Sequence, residues 1–160
     1  MDAAMSLQPW QMPEIQDWTQ ILLDSYEQGL GRSLIPRNTD RLEEAEALFK
    51  VPFVVVSHNG AADPLLNYGN QTALDLWELE WSQFCGLPSR LTAEPDQRET
   101  RSQMLSDALA KGYIDNYSGI RISSQGRRFR IDRATIWTLR QPDGQPCGQA
   151  ATFTEWYFLD

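Results

Sequence analysis

From Pro13 onward, Ile15, Trp18, Leu22, Tyr26 and Leu30 recur at helical spacing. A first amphipathic helix is expected there, with Pro13 tolerated in its first turn and Gly29 and Gly31 stopping it. Ser33-Leu34-Ile35-Pro36 reads as a connector. A second helix is expected from Asp40, which has Glu43 three residues on as a capping box; it should bury Leu42, Ala45, Leu48 and Phe49. The pattern changes at Lys50. Val51-Pro52-Phe53-Val54-Val55-Val56-Ser57 is a β-branched run without alternation, which predicts a strand covered on both faces and internal to its sheet. Asn59-Gly60 marks a turn, and Leu65-Leu66-Asn67-Tyr68 returns as a shorter strand. Asn70 can cap a helix carrying Ala73, Leu74 and Trp77. Trp81 and Phe84 belong to a further short turn ended by Gly86 and Pro88.

A longer helix follows, with Pro95 in its first turn. Arg98, Arg101, Leu105 and Ala108 share one face of it, cationic at its start and apolar at its end. Lys111-Gly112 closes it with a cation and a glycine stop. The last third alternates strand and turn: Asp115 to Ser123, Arg128 to Leu139 and Gly148 to Phe158 are strand-like, joined by Gln125-Gly126 and Pro142-Asp143-Gly144. Two strands, a set of helices and three hairpin-linked strands predict an α+β fold with a five-stranded antiparallel sheet. The crossover sets the first strand beside the last, giving the order 2-1-5-4-3 with helices on one face. Residues 1–50 read as a tail and helical extension, and residues 51–160 as the main domain.

Composition narrows the function. The 160 residues, 41% hydrophobic and 11% aromatic, suffice for one domain with a buried core. The net charge of −8 is uneven, with 13 acidic and 4 basic side chains in residues 1–80 and 9 against 10 in residues 81–160. An acidic chain repels phosphate backbones, so direct nucleic-acid binding is not expected. Arg127, Arg128, Arg130 and Arg133 read as a solvated hairpin face. Cys85 and Cys147 read as reduced thiols, no signal peptide is apparent, and no apolar run reaches the ~18 residues of a membrane span. A cytoplasmic location is expected.

Several stretches together resemble the MEKHLA family, a PAS-like domain: Asn67-Tyr68-Gly69-Asn70-Gln71-Thr72-Ala73-Leu74-Asp75-Leu76-Trp77, Leu87-Pro88-Ser89-Arg90-Leu91-Thr92-Ala93-Glu94, Gly119-Ile120-Arg121-Ile122-Ser123 and Gly148-Gln149-Ala150-Ala151. With the helices before them they cover most of residues 15–158, and the type resembled is the stand-alone cyanobacterial one. The resemblance implies a PAS-like fold and a sensory or protein-interaction role without catalysis. It also implies possible binding of a small ligand between helices and sheet. With no separate output module, any signal is expected to pass through non-covalent partners.

A covalent flavin adduct needs a cysteine just after the glycine that ends the short helix, whereas Cys85 precedes Gly86, so no adduct is expected. Haem is not expected either, since His58 reads as a solvent-facing residue at a strand end. One histidine and two remote cysteines make no metal site. The alternative to a sensor is a small enzyme of cystatin-like α+β shape, of isomerase or hydrolase type. Its chemistry would need paired titratable groups in the interior.

The candidate ligand-binding residues are Tyr68, Trp77, Trp81 and Trp137 as an aromatic wall, with Arg90, Arg98 and Arg101 as a carboxylate clamp. Against this stands a plain core role for the aromatics, and internal pairing of the arginines with Glu94, Glu99 or Glu155. Asp132 and Glu155 read as salt-bridge partners of arginines. The first helix can serve a protein partner or self-association through its apolar stripe, or pack back onto its own sheet.

Overall fold

The structure is a computed structural model that describes residues 7–94 and 97–159. After a 3₁₀ turn at Pro9–Gln11 come α1 (Pro13–Leu30) and α2 (Arg41–Lys50). Strands β1 (Val54–Asn59) and β2 (Leu66–Gly69) follow, then α3 (Gln71–Trp77), α4 (Trp81–Phe84), a 3₁₀ turn at Ser89–Thr92 and α5 (Arg98–Lys111). The chain ends in β3 (Tyr113–Ile122), β4 (Arg128–Arg140), β5 (Pro146–Phe153) and β6 (Glu155–Phe158). The antiparallel sheet runs β2-β1-β5-β4-β3, the order expected from the strand pattern, with β6 also against β4.

β5 and β6 are one length of chain bent at Thr154. Both hold the same register on β4, Thr135 opposite Thr152 and Asp132 opposite Glu155. β1 reaches only to Phe153, so among the described residues β6 pairs with β4 alone. Opposite the bend, Arg133 stands at φ 57° in the left-handed region, and Asn116 on β3 does the same at φ 59°. These irregularities switch which side chains of β4 face each side, so that Ile131, Ala134 and Ile136 line one cavity.

Both faces of the sheet are covered. α3, α4 and α5 lie on one, and α1 lies on the other, its Ile15, Leu22, Leu23 and Tyr26 buried. Of the two roles open to the first helix, its apolar stripe takes up the inward one. Gly31, at φ 74°, ends α1, while Gly29 is inside the helix.

Two local expectations change. The Asp40 side chain caps α2 by accepting from the amides of Leu42 and Glu43, but its own amide donates to Asn38 Oδ1 at 2.7 Å rather than to Glu43. Leu42 is 43% exposed, and Glu44, at 2%, is buried in its place. The inward acid is tolerated because Arg37 Nε reaches it at 2.8 Å. Pro95, expected in the first turn of the long helix, lies outside the described residues.

Asn70 ties the first half together. It is fully buried, and its Oδ1 accepts from the amides of Val55 (3.1 Å) and Ala73 (3.2 Å). Its Nδ2 donates to the carbonyls of Leu48 (3.2 Å) and Phe53 (2.9 Å). One side chain thus caps α3 and fixes the end of α2 and the entry to β1.

Candidate functional site

Between α5 and the sheet lies a cavity of about 70 Å³. That is room for several waters or a small organic molecule. Its apolar wall includes Trp77, Met104, Ile131, Ile136 and Phe153, and its polar side chains include His58, Arg101, Tyr117, Arg121 and Gln149. No aspartate or glutamate is among its lining residues.

Each polar group is set by its element. Arg101 sits one turn into α5, on the inward face with Met104 and Ala108. It is buried, and its Nη2 donates to the Ser89 hydroxyl at 2.8 Å. Burial, reinforced by the charge of Arg121 and opposed by Tyr117, lowers its guanidinium to about 10. Arg121 stands opposite Phe129 across the β3–β4 ladder and is buried too. Its Nη1 donates to the Ile120 carbonyl at 2.8 Å and its Nη2 meets the Tyr117 hydroxyl at 3.3 Å. Among the described residues, neither arginine has a carboxylate within ion-pair distance.

His58 corrects its expected solvent position. It lies on β1, 8% exposed, and lines the cavity. Nδ1 is 2.9 Å from the Asn59 carbonyl, which can only accept, so Nδ1 carries the hydrogen and Nε2 of the neutral ring is an acceptor. That Nε2 is buried with no hydrogen-bond partner among the described residues, and so is the Trp77 Nε1 donor. Burial lowers the His58 pKa against the pull of the Asn59 carbonyl, and Arg101 lowers it further.

Of the seven candidate residues, Trp77 and Arg101 line the cavity together, and the other five lie elsewhere. Trp77 is wedged edge-on among Phe84, Phe129 and Phe153, at centroid distances of 6.3, 5.2 and 6.4 Å. The β3–β4 turn steadies the end of its helix, Ser124 N donating to the Trp77 carbonyl. Trp137 is on the opposite face of the sheet, edge-on to Tyr26 of α1 at 5.0 Å. Tyr68 is fully buried and edge-on to Trp81 at 5.8 Å, and Trp81 meets Phe49 at 6.1 Å. That cluster joins β2, α4 and α2.

Arg90 is exposed and pairs with Asp63 at 3.3 Å, while Arg98 donates to the Ala93 carbonyl at 3.0 Å. The expected pairing with Glu94, Glu99 or Glu155 is replaced. Glu94 meets Arg128 at 2.7 Å and Glu155 meets Arg133 at 3.6 Å. Asp132 meets Arg130 at 2.9 Å, as expected of a salt-bridge partner.

Sequence reasoning missed Arg121, His58 and Gln149 as wall residues. An arginine between Ile120 and Ile122 in a strand was the available signal, since it must face one side of the sheet while its neighbours face the other. Cys85 is not among the lining residues, and burial pushes its thiol up to about 11. Among the described residues no group of three or more His, Cys, Asp or Glu side chains is placed to hold a metal ion, and no helix is long and apolar enough to cross a membrane.

A sheet in this order with a cavity beneath its helices defines a PAS-like domain. Solved structures agree: a PAS domain from Colwellia psychrerythraea superposes with a TM-score of 0.62 at 15% identity, over 73% of this chain and 94% of that one. A light-oxygen-voltage domain studied with a flavin analogue gives 0.57 at 18% identity, over 74% and 85%. The MEKHLA domain matches residues 16–158, and the chain belongs to that family. Its relatives include two homeobox-leucine zipper proteins of Arabidopsis thaliana. ATHB-15 is 22% identical over 152 residues, 94% of this chain and 18% of that protein. ATHB-14 is 26% identical over 98 residues, 61% and 12%. The chain thus spans less than a fifth of the length of these curated relatives.

Proposed function

We propose that this chain is a non-catalytic sensory module that holds a small molecule between α5 and the sheet and passes its state to a protein partner. The observation that carries this reading is the cavity itself. Its wall is mostly apolar, yet the buried side chains of Arg101 and Arg121 line it with no carboxylate within ion-pair distance among the described residues. Buried charges without a counter-charge are costly, and a ligand would answer them. Catalysis is disfavoured because the wall pairs His58 with cations and with no acid, so it lacks two groups poised to exchange a proton.

On this reading residues 51–160 form the sensing domain, acting in the cytoplasm, and residues 1–50 are an extension whose α1 closes its second face. A partner or a second copy meeting α1 in place meets its outward side, where Glu14, Asp17 and Asp24 are exposed. The apolar stripe would become available only if α1 left the sheet.

Native mass spectrometry of freshly purified chain, beside Ala151→Leu to fill the cavity, tests the proposal. The expected result is a non-covalent mass on the unaltered chain, lost on denaturation and reduced at least tenfold in the filled variant. Equal occupancy of both proteins places the ligand elsewhere. A chain without such a mass, and whose melting no compound of a small-molecule library raises, is not a sensor of this kind.

A further inference from the structure

We propose that the cavity takes a small carboxylate with an apolar body, its charge held by Arg101 and Arg121. The inference rests on the ligand-binding reading above and adds the class of the ligand.

Two guanidiniums face one small space and repel each other there. Arg101 is held by a neutral hydroxyl, and Arg121 by a carbonyl, a hydroxyl and the face of the Tyr117 ring at 5.7 Å. Among the described residues, the arginines and lysines that do form ion pairs meet carboxylates at or near the surface or, for Arg37, a cluster of three. Charges this deep stay ionised only where an opposite charge or a dense set of hydrogen bonds answers them. Packing alone would be better served at position 101 by methionine. The arginine fork matches the two oxygens of a carboxylate. Met104, Ile131, Ile136 and Phe153 offer the rest of the ligand an apolar surface. That favours one charged head on a hydrocarbon body over a compact, fully hydrated anion.

The test uses matched pairs on the full chain: phenylacetate with phenylacetamide and isovalerate with isovaleramide, plus inorganic phosphate, each titrated by calorimetry. At least one acid is expected to bind ten times or more tighter than its amide. In Arg101→Met and Arg121→Met that preference should fall to within about twofold. Arg101→Met should also melt higher than the unaltered protein when both are ligand-free, because it removes an unpaired buried charge. Acid and amide binding equally would overturn the anion assignment and leave the cavity reading standing. Phosphate binding in place of the acids would overturn the carboxylate class. Binding of none of the five probes, with Arg101→Met melting lower, would make Arg101 a structural residue and overturn the proposal.

Discussion

The indole Nε1 of Trp137 donates to the main-chain carbonyl of Leu22 across 3.2 Å, joining β4 to a helix 115 residues earlier. Two more bonds hold α1 to the sheet, from Trp18 Nε1 to the Ser57 hydroxyl of β1 at 2.9 Å and from Arg140 N of β4 to the Ser25 hydroxyl at 3.0 Å. α1 is therefore a wall of the domain, and its inward side chains are part of the core.

Removal of residues 1–31 is expected to abolish cooperative folding. Burial of Ile15, Leu22, Leu23 and Tyr26 contributes roughly 1.5–3 kcal/mol each. Together this matches the whole net stability of a typical domain, about 5–15 kcal/mol. The milder Trp137→Phe loses one hydrogen bond and some packing, and should cost about 1–3 kcal/mol in a urea melt. A truncated chain that stays folded and sediments as a monomer where the full chain is a dimer would show instead that α1 serves association.

Much of this was legible in the sequence because local chemistry and tertiary structure agreed. Asn70 stands where a helix must start and a strand must end, and both readings give it one role. The β-branched Val54–Ser57 segment cannot be mistaken for a surface strand. The site was less legible because both sheet faces are covered. Ala134 to Leu139 are buried without a break, so nothing in their alternation shows that Ile136 faces the cavity and Trp137 faces α1. The left-handed Arg133 then shifts the parity of β4, and no pattern announces such a bulge. Arg101 could be read from its helix stripe, but its lack of a carboxylate is a fact of three dimensions.

Asn70 invites a paired substitution. Asn70→Ala leaves two amides and two carbonyls without this side chain, at a cost of about 3 kcal/mol or more. Asn70→Asp keeps the acceptor for Val55 and Ala73 but aims a carboxylate oxygen at the Leu48 and Phe53 carbonyls. At pH 7 it should be at least as damaging as alanine. Partial recovery toward pH 4 is expected, where the protonated acid can donate to one of them. Denaturant midpoints at both pH values check the ordering.

Arg37 binds three carboxylates at once: Glu44 at 2.8 Å, Glu27 at 2.7 Å and Asp24 at 3.1 Å. Burial pushes the Glu44 carboxyl up, but hydrogen bonds from Arg37, Gln20 and the Asn38 amide outweigh it and hold the group below its ordinary value. The folded pKa is thus depressed, so its contribution is complete above the unfolded value of 4.5 and fades as pH falls through the lower folded one. Arg37→Met strands Glu44 and should cost about 3–5 kcal/mol at pH 7. Its deficit should shrink below pH 4, which thermal melts across pH 3–7 will show. A pH-independent deficit would mean that Arg37 acts by packing.

His58 gives a second pH window, separate from the carboxylates. Its folded pKa is lowered by burial and by Arg101, and Arg121 and Tyr117 face the same cavity. A base whose folded pKa is lowered takes up its proton more readily in the unfolded chain. Stability is therefore full above the unfolded value of 6.5 and declines as pH falls from there, until the folded state is protonated too. The slope approaches about 1.4 kcal/mol per pH unit at most. Calorimetric melts between pH 5 and 7 should show this decline in the unaltered chain and little of it in His58→Gln. A carboxylate held by Arg101 and Arg121 would set a negative charge near the ring and ease its protonation. Saturating phenylacetate is therefore expected to flatten the slope in the unaltered chain and to leave His58→Gln unchanged. An equal slope in both proteins, with or without the acid, would show that the ring does not titrate with unfolding.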